Sequence, residues 1–190
     1  MAESSFKLVA TLGIAGLVAG IAIVGIFEAT KDTIAENKAR ELREAVGKVL
    51  PGSTTMKDVT IGDEMIAYAG YTADDQFVGW AVPAEGAGFQ DTIKLLYGYN
   101  PAKTEVIGME ILDSRETPGL GDGIFKNKRF VNAFKSLSID PEIVLQKTGA
   151  SAANEIDAIT GATISSKAVV KIINQTHSRW HESLSAEPEG

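Results

Sequence analysis

Asp157-Ala158-Ile159-Thr160-Gly161-Ala162-Thr163-Ile164-Ser165-Ser166 passes from a short strand-like piece, through a Gly-Ala turn, into a helical pattern. The start of a helix leaves backbone N–H groups unpaired and carries a partial positive charge, so it attracts phosphate. Gly161 and Ala162 are small enough to let a ligand approach, and Thr163, Ser165 and Ser166 gather hydroxyls at the same spot. Taken alone, the stretch fits an ordinary capped helix as well or better, with Thr160 or Thr163 accepting a backbone N–H. The amphipathic pattern then continues from Thr163 to about Leu184, before a polar tail, Ala186–Gly190.

Upstream lies a second unusual stretch, Glu116-Thr117-Pro118-Gly119-Leu120-Gly121-Asp122-Gly123. Pro118-Gly119 suits the two central positions of a type II turn, and the closely spaced glycines offer bare backbone to a neighbour. The glycines alternate, so they do not follow the dinucleotide-binding fingerprint, and no βαβ pattern surrounds them. By itself this too is a loop between a strand and a helix. Strand-like patterns fill the region before it, at Ile66–Tyr71, Phe77–Pro83, Ile93–Tyr99 and Glu105–Leu112. The connections are short, which favours antiparallel neighbours. A short helix is expected over Asn127–Leu137 and one more strand over Glu142–Lys147. Strands followed by helices indicate an α+β domain. Trp80, Tyr97 and Tyr99 fit packing positions. His177 and His181 stand four apart without the glutamate or third ligand of a zinc motif, so no metal is expected.

The two motifs together, "ETPGLG" followed by Asp157 and "TGAT", resemble the FMN-binding domain of the G subunit of Rnf electron-transport complexes. The same domain occurs in the C subunit of the sodium-pumping NADH:quinone oxidoreductase. The resemblance extends over nearly the whole chain, and the short length suits the Rnf protein better. It implies one transmembrane helix followed by a single FMN-binding domain, with a mainly antiparallel sheet flanked by helices. It also implies that a flavin transferase moves FMN from FAD onto Thr163, leaving a phosphoester, with Asp157 read by the transferase. Thr160, Gly161, Ala162 and Ser166 would surround the attachment point. Glu116, Thr117, Gly119 and Leu120 would contact the flavin or its ribityl chain. Lys167, one turn after Thr163, either faces the phosphate or is simply solvated. The implied role is that of a redox subunit, not a stand-alone enzyme, relaying electrons within an ion-translocating ferredoxin:NAD oxidoreductase. Its partners would be the other proteins of the complex, the transferase and membrane lipid. The alternatives are the equivalent component of the quinone-reducing pump, or a membrane-anchored binding module without flavin.

Composition narrows the field further. Acidic side chains outnumber basic ones, 25 to 18, for a net charge of −7 and no basic stripe, so no nucleic acid is expected. There is no cysteine, which excludes disulfides and iron–sulfur clusters held by this chain alone. Leu8 to Phe27 is an uncharged apolar run of roughly 20 residues, the length of a membrane helix and longer than a signal-peptide core. The expected organisation is therefore a tail and transmembrane helix over 1–28 and a juxtamembrane helix over 29–52. The FMN-binding domain follows over 53–185, then the tail over 186–190. Gly16 and Gly20 form a small-xxx-small pair suited to helix packing, or reflect the ordinary composition of membrane helices.

Lys31, Lys38, Arg40 and Arg43 after the span favour a cytoplasmic domain by the positive-inside rule. Interleaved acids dilute that bias, and the resemblance places the flavin domain on the extracytoplasmic face of the cell (inner) membrane. A single cysteine introduced into the Ala186–Gly190 tail is therefore expected to react with a membrane-impermeant maleimide in intact cells or spheroplasts. Labelling only after lysis would put the domain inside.

Overall fold

The computed structural model describes residues 2–62, 65–184 and 187–188. Most of the expected tail, Ala186–Gly190, and Met1 lie outside the described residues. Two compact units are present, Met1–Glu41 and Leu42–Gly190. Helix α1 spans Ala2–Val49 and takes in both the expected span and most of the expected juxtamembrane helix. Its apolar part is long enough to cross a membrane. Phe6, Leu12, Ile21 and Phe27 are among the large apolar side chains that it leaves exposed. Pro51 and Gly52, the latter at φ +94°, turn the chain after α1.

The larger unit is built on a six-stranded antiparallel meander. Its strands are β1 Thr55–Ile61, β2 Met65–Tyr71, β3 Phe77–Ala87, β4 Thr92–Asn100, β5 Glu105–Ser114 and β6 Leu137–Ser138. Two short helices, α2 Gly123–Lys126 and α3 Lys128–Ala133, follow β5. Strands β7 Val144–Gln146 and β8 Glu155–Asp157 form a small parallel pair, and α4 Thr163–Trp180 closes the fold. The α+β architecture expected from the sequence is present. Strand β1 is an addition to the expected set, because most of it is exposed and polar, as an edge strand can be. The expected helix over Asn127–Leu137 is shorter, since Leu137 leaves it to pair with Val106. Helix α4 ends at Trp180, and Leu184 returns to the core in the turn that follows.

Residues on one face of the sheet, including Trp80, Ile93, Leu95 and Tyr97, pack with Val169 and Ile173 of α4 and Phe134 beyond α3. On the other face, Val46, Val49 and Leu50 at the end of α1 pack with Ala81 and Leu96. Bare backbone makes that second contact possible. Gly98 and Gly108 are register partners across β4 and β5, and Val49 lies on the pair. A Cβ at Gly108 would come 2.7 Å from Val49 Cα, and one at Gly98 would collide with the Val49 carbonyl. Gly98→Ala is therefore expected to destabilise the chain by about 2 kcal/mol or more through overpacking. Gly47→Ala, on an open helical position, is expected to be neutral or stabilising by up to about 1 kcal/mol. Thermal unfolding of the detergent-solubilised chain checks both, and an unchanged midpoint for Gly98→Ala would contradict the contact.

Candidate functional site

Both motif turns use a glycine in the left-handed region. Leu120 N donates to Thr117 O at 3.1 Å, closing a turn with Gly119 at φ +79°, as a type II turn requires. Ala162 N donates to Ile159 O at 2.9 Å, closing a second turn with Gly161 at φ +84°. Asp122 braces the first turn by accepting from Gly119 N at 2.9 Å, and the Lys126 ammonium bonded to it holds its carboxyl below the usual range. The second turn delivers the chain to Thr163, the first residue of α4.

Glu116 joins the two. Its buried carboxylate accepts hydrogen bonds from Phe89 N at 2.8 Å and Gln90 N at 2.9 Å, and from Ser165 Oγ at 2.5 Å. One side chain thus ties the β3–β4 turn, the "ETPGLG" turn and the first turn of α4. Gly121 leaves room for it: a Cβ there would meet Glu116 Oε2 at 2.5 Å and Ser165 Oγ at 2.8 Å. Burial pushes the Glu116 pKa up, but the hydrogen bonds from Ser165 and the backbone amides outweigh it and hold the carboxyl below the usual glutamate value.

A cleft of about 350 Å³ opens at this junction, lined by Phe89, Thr117, Leu120 and Gly121 on one side and Gly161 to Ser165 on the other. Phe89, Leu120 and Ile164 are 61%, 57% and 60% exposed, an unusual grouping of large apolar side chains in solvent. Thr163 is exposed beside them. Ala162, the residue before α4, has no side chain able to cap it, so the helix start keeps its capacity for an anion. An apolar seat beside an uncapped helix start suits a flat aromatic ligand that carries a phosphate.

The sequence-derived residues divide. Thr117, Leu120, Gly161, Ala162 and Thr163 meet at the cleft, with Gly119 in the turn that positions Leu120. Glu116, expected as a flavin contact, is committed inside the protein. Ser166 is likewise fully buried, donating to Ala162 O at 2.9 Å and accepting from Ile159 N at 3.2 Å. Thr160 faces a different hollow, beside Asp157 and Arg129. The Asp157 carboxylate accepts from Arg129 Nη2 at 3.0 Å and from Ala150 N at 2.8 Å. Lys167 lines a third cleft, on the other flank of α4, which Thr163 also borders. Gly121 and Ser165, which lie within the two motifs, also border the cleft, and so do Phe89 and Ile164, which the sequence does not mark as contacts. Phe89 comes from the distant β3–β4 turn, and only tertiary pairing brings it there.

His177 is buried against Tyr99 at 4.7 Å between ring centroids, and burial together with His181 lowers its pKa to about 4. Among the described residues no group of three or more His, Cys, Asp or Glu is placed to hold a metal.

The FMN-binding domain family model matches residues 88–178, which contain both motifs and nearly all of α4. The G subunit of the proton-translocating ferredoxin:NAD(+) oxidoreductase complex of Clostridium ljungdahlii is 30% identical, covering 91% of this chain and 90% of that protein. Its Na(+)-translocating counterpart from Acetobacterium woodii is 31% identical, covering 90% and 89%. The chain belongs to the G-subunit family of ion-translocating oxidoreductase complexes. The matched FMN-binding domain contains the whole cleft, and the family together with the long apolar helix supports a membrane-anchored protein. Among solved structures, the C subunit of the Na(+)-translocating NADH-quinone reductase from Parabacteroides distasonis aligns with a TM-score of 0.54 and 26% identity, over 65% of this chain and 64% of that one. NqrC from Shewanella oneidensis shares the fold at the same TM-score and 14% identity, over 72% and 73%.

Glu116→Gln keeps the shape but removes the charge that its donors serve, and is expected to cost about 1–3 kcal/mol. Because the folded pKa lies below the unfolded value, this stabilisation is complete above the ordinary glutamate pKa of about 4.3 and is lost as pH falls through the folded value. Thermal unfolding at neutral pH and below about pH 4 checks it: the gap between wild type and variant is expected to shrink in acid. A gap that stays constant would contradict the assignment.

Proposed function

We propose that this protein carries FMN covalently, as a phosphoester on Thr163, and relays electrons within its ion-translocating complex. What supports this most is the convergence of an exposed threonine hydroxyl, an uncapped helix start and three exposed apolar side chains at one cleft. Thr163 Oγ1 is the attachment point, and the N-terminal peptide groups of α4 balance the phosphodiester charge. Phe89, Leu120 and Ile164 give the ring an apolar surface, while Gly119 and Gly161 set the turns that bring these groups together. Bound there, FMN supplies one- and two-electron exchange that no side chain of this chain provides. Attachment keeps the cofactor in place on an open surface where few residues grip it. We further assign the flavin domain to the extracytoplasmic face, where a flavin transferase matures it and other proteins of the complex exchange electrons with it. Asp157, paired with Arg129 beside Thr160, offers the transferase an oriented carboxylate next to the acceptor turn.

Thr163→Val removes the hydroxyl and little else, since Thr163 is exposed. It is expected to abolish flavin fluorescence of the denatured chain in a gel while the chain still reaches the membrane. Thr160→Val is expected to weaken that fluorescence only. Full fluorescence in Thr163→Val would defeat the proposal.

A further inference from the structure

Thr163 borders a second cleft, of about 580 Å³, between β7 and α4 on the side away from Leu120. Its apolar floor includes Ile143, Leu145 and Val170, and Lys147, Lys167 and Lys171 converge on it against a single acid, Glu142. Those three lysines are exposed, and none is ion-paired among the described residues. The chain is acidic overall, so such a convergence is a local exception.

Strand β7 supplies a second, independent feature. Val144 N donates to Asn154 O, and Gln146 O accepts from Ala158 N, both at 2.8 Å, so these residues bond towards β8. Strand alternation therefore turns the N–H and C=O of Ile143 and Leu145 the other way, towards α4. Asn174 of α4 satisfies both groups of Ile143: its Oδ1 accepts from Ile143 N at 3.1 Å and its Nδ2 donates to Ile143 O at 2.9 Å. The corresponding pair on Leu145 has no partner among the described residues. One such donor–acceptor pair is enough to meet the edge of a flat heterocycle.

We propose that this cleft is a second seat for the isoalloxazine ring of FMN held on Thr163. The inference rests on the Thr163 attachment proposed above. The ring's pyrimidine edge alternates carbonyl acceptors with an N–H donor, which would match the donor–acceptor pair of Leu145. From Thr163 to Val170 the helix rises about 10 Å, within reach of a ribityl phosphate arm. The lysines give this seat a preference. Reduction of a ring bound here would place negative charge on its pyrimidine side, and Lys147, Lys167 and Lys171, outnumbering the Glu142 carboxylate, would stabilise it. No charged side chain lines the Phe89–Leu120–Ile164 cleft, which suits the neutral, oxidised ring. Thr163 is then the pivot of a short arm with two stations, chosen by redox state.

Lys171→Cys gives the chain its only thiol, inside the second cleft and about two helical turns from Thr163. In the full chain, kept anaerobic with its flavin photoreduced, fluorescein maleimide is expected to label it at least threefold more slowly than in the Thr163→Val background under the same conditions. Lys147→Gln is expected to reduce the preference for the reduced form about tenfold, a fall of about 30 mV for a two-electron couple by spectroelectrochemical titration. Lys147→Arg is expected to restore it. Equal labelling rates with reduced flavin, in a chain shown by in-gel fluorescence after reoxidation to be loaded, would overturn the second seat alone. An unchanged potential in Lys147→Gln would overturn the electrostatic preference. If peptide mapping placed the flavin elsewhere than Thr163, the attachment and the second seat would both fall.

Discussion

The candidate site depends on one buried carboxylate. Glu116 gathers donors from the β3–β4 turn and from Ser165 at the start of α4, while its own backbone begins the turn that presents Leu120. Without it, three segments far apart in sequence would share no polar anchor, and the cleft between them would have no fixed width. Burying a carboxylate is unfavourable unless its lone pairs are met, and here they are met from both sides. The same bonds that depress its pKa hold the two motifs in register. Gly121 and Gly88 make space for the carboxylate, since a Cβ at either would press on it. These glycines therefore serve packing, whereas Gly119 and Gly161 serve turn geometry.

A rigid frame carries this junction. The meander is clamped on one face by α4 and on the other by the end of α1, which lies on the Gly98–Gly108 pair. Ser166 and Ala162 complete the local support by closing the turn before α4 from within. Thr163 stays exposed, while Ala162, Ser165 and Ser166 around it are buried. On the proposed reading its hydroxyl is accessible to a modifying protein, and the backbone bearing it does not need to move.

Much of the fold is legible in the sequence because apolar alternation and turn residues carry it. Strands β2 to β5, the apolar helix and the last helix all leave such periodic signals. Strand β1 leaves none, being a polar edge, and β8 is too short to show a period. At the site, the motifs point to the turns that border the cleft, yet not to how each side chain is used. Glu116 and Ser166 are polar residues in a binding motif, and sequence alone does not distinguish a group that faces a ligand from one that holds the turn beneath it. Phe89 is illegible for a different reason. Its place at the cleft follows from the pairing of β3 with β4 and from the Glu116 bonds to its backbone, both non-local. The lysines of the second cleft are separated in the same way, one near β7 and two on α4.

The central claim is that FMN is bonded through phosphate to Thr163. Mass spectrometry of the chain purified from its own membranes, followed by peptide mapping, tests it most directly. The intact mass is expected to exceed that of the polypeptide by FMN less one water, with the whole increment on the peptide containing Thr163 and fragment ions assigning it to that residue. An unmodified intact mass, or an increment mapped to Thr160, Ser165 or any other residue, would contradict it.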